Sequence, residues 1–128
     1  GLGDKVRFLG WRDDIGDLLR SADMLLVPSR WEGFSLSALE GLSVGLPMVT
    51  SDVPGLSDVV GNLPGVLRVA QRDPRSLAAA IDRMVEARDE WPNYAPASVE
   101  RARLYSIENM ARGYAGLYRR IANEAVEP

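Results

Sequence analysis

The chain has 128 residues, of which 46% are hydrophobic and 26% charged, as in an ordinary globular protein with one hydrophobic core. Because it contains no His and no Cys, it cannot assemble a Ser-His-Asp or Cys-His nucleophile or a typical zinc site. Its net charge of −3 argues against a general nucleic-acid surface, and no apolar run is long enough to cross a membrane.

The first quarter of the chain predicts two strands with a helix between them. Val6–Leu9 has the composition of a strand. Asp13 or Asp14 is placed to cap a helix, because apolar residues follow at helical spacing. These residues are Ile15, Leu18, Leu19 and Ala22. The continuous apolar run Met24–Val27 is typical of a strand that helices cover on both faces.

The middle of the chain predicts a loop, a short helix and two further strands. The loop covers residues 28–34, and the helix ends near Gly45, where a glycine cap is followed by a proline that cannot continue the helix. Residues 48–50 predict the third strand and residues 65–69 the fourth.

The last third of the chain predicts helices. Asp73 is placed to cap a helix that begins at Pro74. Its apolar stripe consists of Leu77, Ala80, Ile81, Met84 and Val85. Residues 91–96 predict a proline-broken turn, and residues 98–104 a short helix. A final helix is expected over residues 106–123, and its apolar stripe is expected in the core. That stripe consists of Ile107, Met110, Ala111, Tyr114, Leu117, Tyr118 and Ile121.

Strands separated by helices predict an α/β fold, here a Rossmann-like parallel sheet with helices on both faces, in a single domain over residues 1–128. Four strands make a thin sheet of this type, so we expect one or two more strands to precede Gly1 in a parent protein. In such sheets, ligands bind beyond the carboxyl ends of the strands.

The loop at residues 28–35 is the most unusual segment at that edge. It leaves a buried strand, contains Gly33 and runs directly into the start of a helix. Backbone amides at a helix N-terminus attract anions, and a glycine lets a diphosphate approach the backbone closely. The loop is neither a P-loop nor a G-x-G-x-x-G turn.

This loop and its surroundings resemble the donor-binding core of retaining glycosyltransferases with the GT-B fold, the glycosyl transferases group 1. The resemblance implies that the chain is the C-terminal half of a GT-B fold. The matching segments are 29–36, 38–40 and 45–49, and they include two glutamates separated by seven residues, Glu32 and Glu40. Residues 6–10, 22–23 and 51–55 and the final helix also match, so the resemblance covers nearly the whole chain.

The resemblance implies a donor site. Glu32, as the catalytic residue, would meet hydroxyls of the donor sugar, and Glu40 would accept hydrogen bonds from the ribose. The diphosphate would lie on the amides of Gly33, Phe34, Ser35 and Leu36, and the base beside Leu9, Gly10, Trp11 and Arg12. Ionised carboxylates are strong acceptors for paired hydroxyls, which makes these roles physically reasonable.

Each of these residues also has an ordinary structural interpretation. Ser37 and Glu40 have the spacing of a capping box, and Glu32 could be a solvated turn residue. Trp11 and Trp31 could belong to the core or to a lid. Arg12 and Arg30 could simply be solvated, and residues 52–55 could only shape a turn. A glycosidase pair is disfavoured, because eight residues of helix would separate two carboxylates by about 12 Å.

The sequence departs from the family pattern in three respects. Ser35 stands where a glycine is frequent, and Gly41 lies inside a helix at a cost of about 1 kcal/mol. The third departure concerns two features of relatives that this sequence does not contain. Relatives carry a basic pair on earlier strands and an N-terminal domain that binds the acceptor, and both would have to precede Gly1. We therefore expect a chain too short to be the whole enzyme and inactive alone.

The predicted function is donor recognition in a hexosyltransferase that uses a nucleotide-diphosphate sugar, without a metal or another cofactor. The expected partners are this donor and an acceptor, with no nucleic acid. The whole enzyme is expected in the cytoplasm or at the inner face of the membrane. Alternatives are a non-catalytic nucleotide-binding or protein-interaction module, and a sugar-nucleotide epimerase or phosphorylase of the same architecture.

Overall fold

The structure, a computed structural model, describes the backbone of residues 1–124 and the side chains of residues 1–123. Helices and strands alternate along the first two thirds, and helices follow. In chain order, the elements are α1 (Ile15–Ser21), β1 (Leu25–Val27), α2 (Leu36–Ser43), β2 (Met48–Ser51), α3 (Pro54–Val60), β3 (Val66–Val69), α4 (Pro74–Glu86), a 3-10 turn (Arg88–Glu90), α5 (Trp91–Arg103) and α6 (Ile107–Glu124).

Within residues 1–124, the strands form a parallel sheet in the order β1-β2-β3. Leu25 of β1 lies opposite Met48 of β2, which in turn lies opposite Val66 of β3. The central strand is buried along its whole length, as expected for a strand whose two faces are both covered by helices. The predictions of α/β class, of a parallel sheet and of these three strands are confirmed.

Helices cover both faces of the sheet. Met48 belongs to a core cluster with residues of α2 and α3, whereas the next residue, Val49, belongs to a second cluster with Ala80 and Met84 of α4. Successive side chains of a strand point to opposite faces, so α2 and α3 lie on one face and α4 on the other. The first cluster also includes Ala38, Leu42, Leu56, Val59 and Val60.

Gly41 and Gly45 allow α2 to pack closely on its neighbours. A Cβ at Gly41 would lie 2.5 Å from Cδ2 of Leu25 and 3.2 Å from Sδ of Met48, so a larger residue would require these side chains to shift. Gly45 has a φ of +77° and caps the helix end as predicted, and a Cβ there would lie 2.7 Å from that of Ala95. Close packing thus explains the helix glycine that departs from the family pattern.

The strand predicted at residues 6–9 is wrong. This segment has no regular secondary structure, and its side chains are exposed, with Phe8 95% exposed. A strand needs a neighbour for its backbone groups, and in the part of the chain that the structure describes residues 6–9 have none. The described sheet therefore has three strands instead of four.

The turn predicted at residues 91–96 is also wrong, because α5 includes all of these residues. Pro92 lies in the first turn, where a missing N–H costs little. Pro96 lies inside the helix, and tertiary packing outweighs its poor propensity: Trp91 Nε1 donates to the carbonyl of Met84 at 2.9 Å, and Tyr94 lies against Gly65.

The last helix forms close to the predicted bounds, but its apolar stripe is not part of the core. All seven residues of the stripe are exposed, and Ile107 is 75% exposed. Periodicity identified the helix, whereas burial depends on a surface to pack against, which the described residues do not offer. Among them, no helix is both long and apolar enough to span a membrane.

Candidate functional site

The loop between β1 and α2, residues 28–35, lies at the carboxyl edge of the sheet, as predicted. It connects the buried end of β1 at Val27 to the first turn of α2. Trp31 in this loop is 80% exposed and Trp11 is 96% exposed, so neither belongs to the core. The interpretation of these tryptophans as core residues is therefore wrong.

Ser35 caps α2. It is 2% exposed, and its side chain accepts a hydrogen bond from the amide of Ala38 at 3.5 Å. The capping box proposed for Ser37 and Glu40 is therefore wrong, because the helix begins two residues earlier and Glu40 is its fifth residue. A serine in place of the family's frequent glycine supplies a cap.

Glu32 is held within the loop by Ser29. The Ser29 hydroxyl donates to Oε1 of Glu32 at 2.7 Å, and both side chains are partly buried. Oε2 of the carboxylate is not part of this bond. Glu32 is therefore an oriented acceptor, in contrast to the freely solvated turn residue that was the alternative.

Gly55 lies directly against the backbone of the loop. This residue lies in the first turn of α3, and a Cβ built on it would fall 2.4 Å from the carbonyl oxygens of both Glu32 and Gly33. No flexible side chain could relieve that contact, since both neighbours are backbone atoms. Gly55 thus lets α3 lie directly against the segment that carries Glu32, which is more than shaping a turn.

Phe34 anchors the end of the loop to Tyr105, which follows α5. Its ring meets that of Tyr105 edge to face, with the centroids 5.4 Å apart. The Tyr105 hydroxyl donates to the carbonyl of Asp58 at 2.9 Å, and Nε of Arg101 donates to the carbonyl of Val59 at 2.9 Å. These bonds satisfy carbonyls in the last turn of α3 and join the loop, α3 and α5.

Glu40 lies on α2 with an exposed side chain. Ser43 bonds to its backbone carbonyl and not to its carboxylate, at 2.6 Å. Glu40 lies one helix turn beyond the cap, so it does not have the structural role of a capping-box residue. The carboxylate is accessible to a ligand.

Leu9, Gly10, Trp11 and Arg12 form an open segment and not the wall of a pocket. All four are exposed, and a Cβ at Gly10 would have nothing within 4 Å. Nε of Arg12 donates to Asp14 at 2.7 Å, and this bond lowers the pKa of the Asp14 carboxyl. Arg12 is therefore already paired, and the structure does not show these residues next to Glu32.

The chemistry available at this edge is anion and hydroxyl recognition. The first amides of α2 have no partner within the helix, and two carboxylates lie on the same loop and helix. In the described part of the chain, no group of three acidic or histidine side chains could hold a metal ion. Sequence analysis placed Ser29 and Gly55 in segments that match the family but did not predict their contacts or that of Tyr105, since only the fold brings Gly55 and Tyr105 to the loop.

Comparisons with known proteins agree with this description. A family model described as "Glycosyl transferases group 1" matches residues 1–87. The lipopolysaccharide core biosynthesis mannosyltransferase LpsB of Rhizobium meliloti is 35% identical over 124 residues, which cover 92% of this chain and 34% of that protein. A D-inositol 3-phosphate glycosyltransferase of Nocardioides sp. is 36% identical over 129 residues, with 99% and 28% covered. The chain thus spans about a third of the length of these relatives.

Solved structures show the same architecture. Sucrose-phosphate synthase from Thermosynechococcus elongatus superposes with a TM-score of 0.87 at 31% identity, covering 96% of this chain and 32% of that one. Anabaena HepE, solved in complex with UDP, gives a TM-score of 0.86 at 22% identity, covering 93% and 33%, and shows the fold alone. These neighbours confirm the predicted half of a GT-B fold. The chain belongs to the glycosyl transferases group 1.

Proposed function

We propose that this chain binds the donor in a retaining glycosyltransferase, which transfers a hexosyl group from a nucleotide-diphosphate sugar to an acceptor hydroxyl. The observation that carries the proposal is the supported loop at residues 28–35. Its carboxylate, Glu32, is oriented by Ser29, and its end presents the first amides of α2. A carboxylate beside a helix N-terminus matches a ligand that carries both hydroxyls and a diphosphate.

The proposed donor lies across this edge in three parts. The diphosphate accepts hydrogen bonds from the amides of residues 33–36. Glu32 is the proposed catalytic residue, because it touches the sugar that is transferred and orients its hydroxyls. Glu40, exposed one turn further along α2, accepts from the ribose hydroxyls, and the base lies beside residues 9–12.

Catalysis in this proposal rests on stabilising the leaving group. The acceptor hydroxyl attacks from the face that the diphosphate leaves, so the anomeric configuration is retained without a protein nucleophile. Helix amides and basic side chains stabilise the developing charge in place of a metal ion. The basic pair and the acceptor-binding domain belong, in this proposal, to a longer parent protein.

The names of the similar proteins support the donor class. A mannosyltransferase and a D-inositol 3-phosphate glycosyltransferase are among the relatives, and HepE was solved with UDP. The cytoplasmic location of the whole enzyme stays a prediction.

Binding calorimetry tests the proposal. The chain is titrated with UDP, GDP and their hexose conjugates, each with and without a chelator. We expect saturable binding of one nucleotide and its conjugate that the chelator leaves unchanged. A tenfold loss of affinity on chelation, about 1.4 kcal/mol, would contradict the metal-free site, and no binding of any nucleotide would contradict the donor site itself.

Turnover assays separate the remaining alternatives. With radiolabelled nucleotide sugars and candidate acceptors, we expect the chain alone to give only background transfer. A parent protein with a further domain of α/β type should transfer sugar to an acceptor, whereas a non-catalytic module should not. An epimerase would instead change the donor sugar without any acceptor.

A further inference from the structure

A cavity lies at the carboxyl edge of the sheet, on the opposite face from α2 and α3. Its volume is about 370 Å³, and it extends from the loop after β1 to the first turn of α4. Pro28, Val69 and Leu77 give it an apolar wall. Its polar groups come from Arg30, Ser51, Arg72 and Asp73. It borders the loop at residues 28–35 through Pro28 and Arg30, but none of residues 33–36, whose amides are the proposed diphosphate site, lines it.

Ser51 is the buried polar group of this cavity. It is 3% exposed and stands two residues after Val49, whose side chain packs against α4, so the alternation of β2 directs Ser51 to the same face. Among the residues that the structure describes, its hydroxyl has no hydrogen-bond partner, and it lines the cavity. A buried hydroxyl without a protein partner is available to a ligand.

The backbone amides in the first turn of α4 do not form the binding site, because the Asp73 side chain already accepts hydrogen bonds from them. Asp73 accepts from the amides of Arg75 and Ser76 at 3.1 and 3.0 Å and from the Ser76 hydroxyl at 2.6 Å. The bond from Ser76 lowers the pKa of the Asp73 carboxyl, which stays ionised with its oxygens bonded to the helix. Asp73 is therefore a structural cap and not a cation ligand.

Arg30 and Arg72 give the cavity its charge. They come from two different loops, and in the described part of the chain neither forms an ion pair. Arg72 also has a φ of +61°, which is unusual for a residue with a side chain. Arginine forks bind phosphate oxygens in pairs, and two of them can balance a dianion.

We propose that this cavity binds a phosphate monoester, at a site separate from the nucleotide-sugar donor. The phosphate lies between Arg30 and Arg72, the Ser51 hydroxyl donates to it, and the carbon skeleton lies on Leu77. None of these residues has a role in the proposed donor site, so either proposal can fail without the other.

Calorimetry with glucose 6-phosphate as the probe, and glucose as the neutral control, tests this site. Wild type should bind the phosphate ester saturably and glucose not at all. Arg72→Gly suits the left-handed backbone while it removes the charge, and it should weaken binding about tenfold or more. Ser51→Ala should also weaken binding, and both variants should retain the wild-type affinity for UDP or GDP. Arg75→Gln removes a nearby charge outside the cavity and should change affinity less than about twofold.

Three results would overturn the proposal. The first is no saturable binding of glucose 6-phosphate below about 10 mM, a concentration that already corresponds to weak affinity. The second is an equal loss of affinity in Arg75→Gln and Arg72→Gly, or no loss in Ser51→Ala, which would indicate general surface charge. The third is displacement of the probe by the bound nucleotide, which would make the cavity part of the donor site. Melting curves of each variant verify that it is folded.

Discussion

Similar apolar side chains differ in burial between two parts of the molecule. One part is the supported region, residues 28–60. The other consists of the two exposed ends, residues 1–12 and 107–123. In the supported region, Leu42 and Leu56 are fully buried, and Phe34 rests on Tyr105. At the exposed ends, Phe8 and Ile107 point into solvent. The same residue types therefore contribute packing in one region and exposed apolar surface in the other.

These regions differ in whether their apolar side chains have a surface of the described chain to pack against. Every helix of the supported region has a sheet face, a neighbouring helix or a loop against it within the described chain. The exposed ends have a regular apolar pattern without such a surface. Contiguous exposed apolar side chains are typical of surfaces that another protein or another part of a longer protein covers.

The largest expected effect compares two leucines. Leu42→Ala removes a fully buried side chain and should lower the free energy of unfolding by about 2–5 kcal/mol. Leu117→Ala makes the same change on the exposed stripe of α6 and should cost less than about 1 kcal/mol. Urea unfolding of both variants measures the difference, and equal losses would mean that the last helix is buried after all.

The next comparison uses two helix glycines. Gly55→Ala should destabilise the protein by about 1–3 kcal/mol and weaken binding of the nucleotide sugar, because the new Cβ displaces the backbone at Glu32 and Gly33. A Cβ at Gly113 in α6 would have nothing within 4 Å, so Gly113→Ala should stabilise by about 0.5–1 kcal/mol. Thermal melts and nucleotide-sugar titrations measure both. Unchanged donor affinity in Gly55→Ala would remove this glycine from the support of the loop.

The smallest effect concerns the cap of α2. Ser35→Ala should cost about 1 kcal/mol, because the amide of Ala38 loses its acceptor. Ser37→Ala changes the residue that sequence spacing had placed at the cap and should be nearly neutral. If instead Ser37→Ala costs more than Ser35→Ala in urea unfolding, the helix begins later and the capping box is restored.

Sequence patterns predicted local features of the fold well. The run Met48–Thr50 is typical of a buried strand, and Asp73 followed by Pro74 marks a helix start through chemistry confined to a few residues. The sequence patterns did not predict features that depend on tertiary packing. Pro96 lies inside a helix because Tyr94 and its neighbours pack on the domain, and residues 6–9 do not form a strand because no neighbouring strand pairs with them.

The residue types of the candidate site could be predicted from the sequence, but the contacts that hold its loop in place could not. Glu32 and Glu40 were visible from their spacing and context, whereas the hydroxyl of Ser29 is an ordinary loop feature in the sequence. The contacts that Gly55 and Tyr105 make with the loop join residues 22 or more positions apart. Such contacts follow from the arrangement of helices, which one sequence does not reveal.

The central claim is that Glu32 and Glu40 bind different parts of one donor, and affinities of the two amide variants test it most directly. Glu32→Gln should leave the affinity for the bare nucleotide unchanged and weaken binding of the nucleotide sugar by roughly 1.5–3 kcal/mol. Glu40→Gln should weaken both ligands by a similar amount. Wild-type affinity of Glu40→Gln for the nucleotide, or loss of bare-nucleotide binding in Glu32→Gln, would contradict this division of the site.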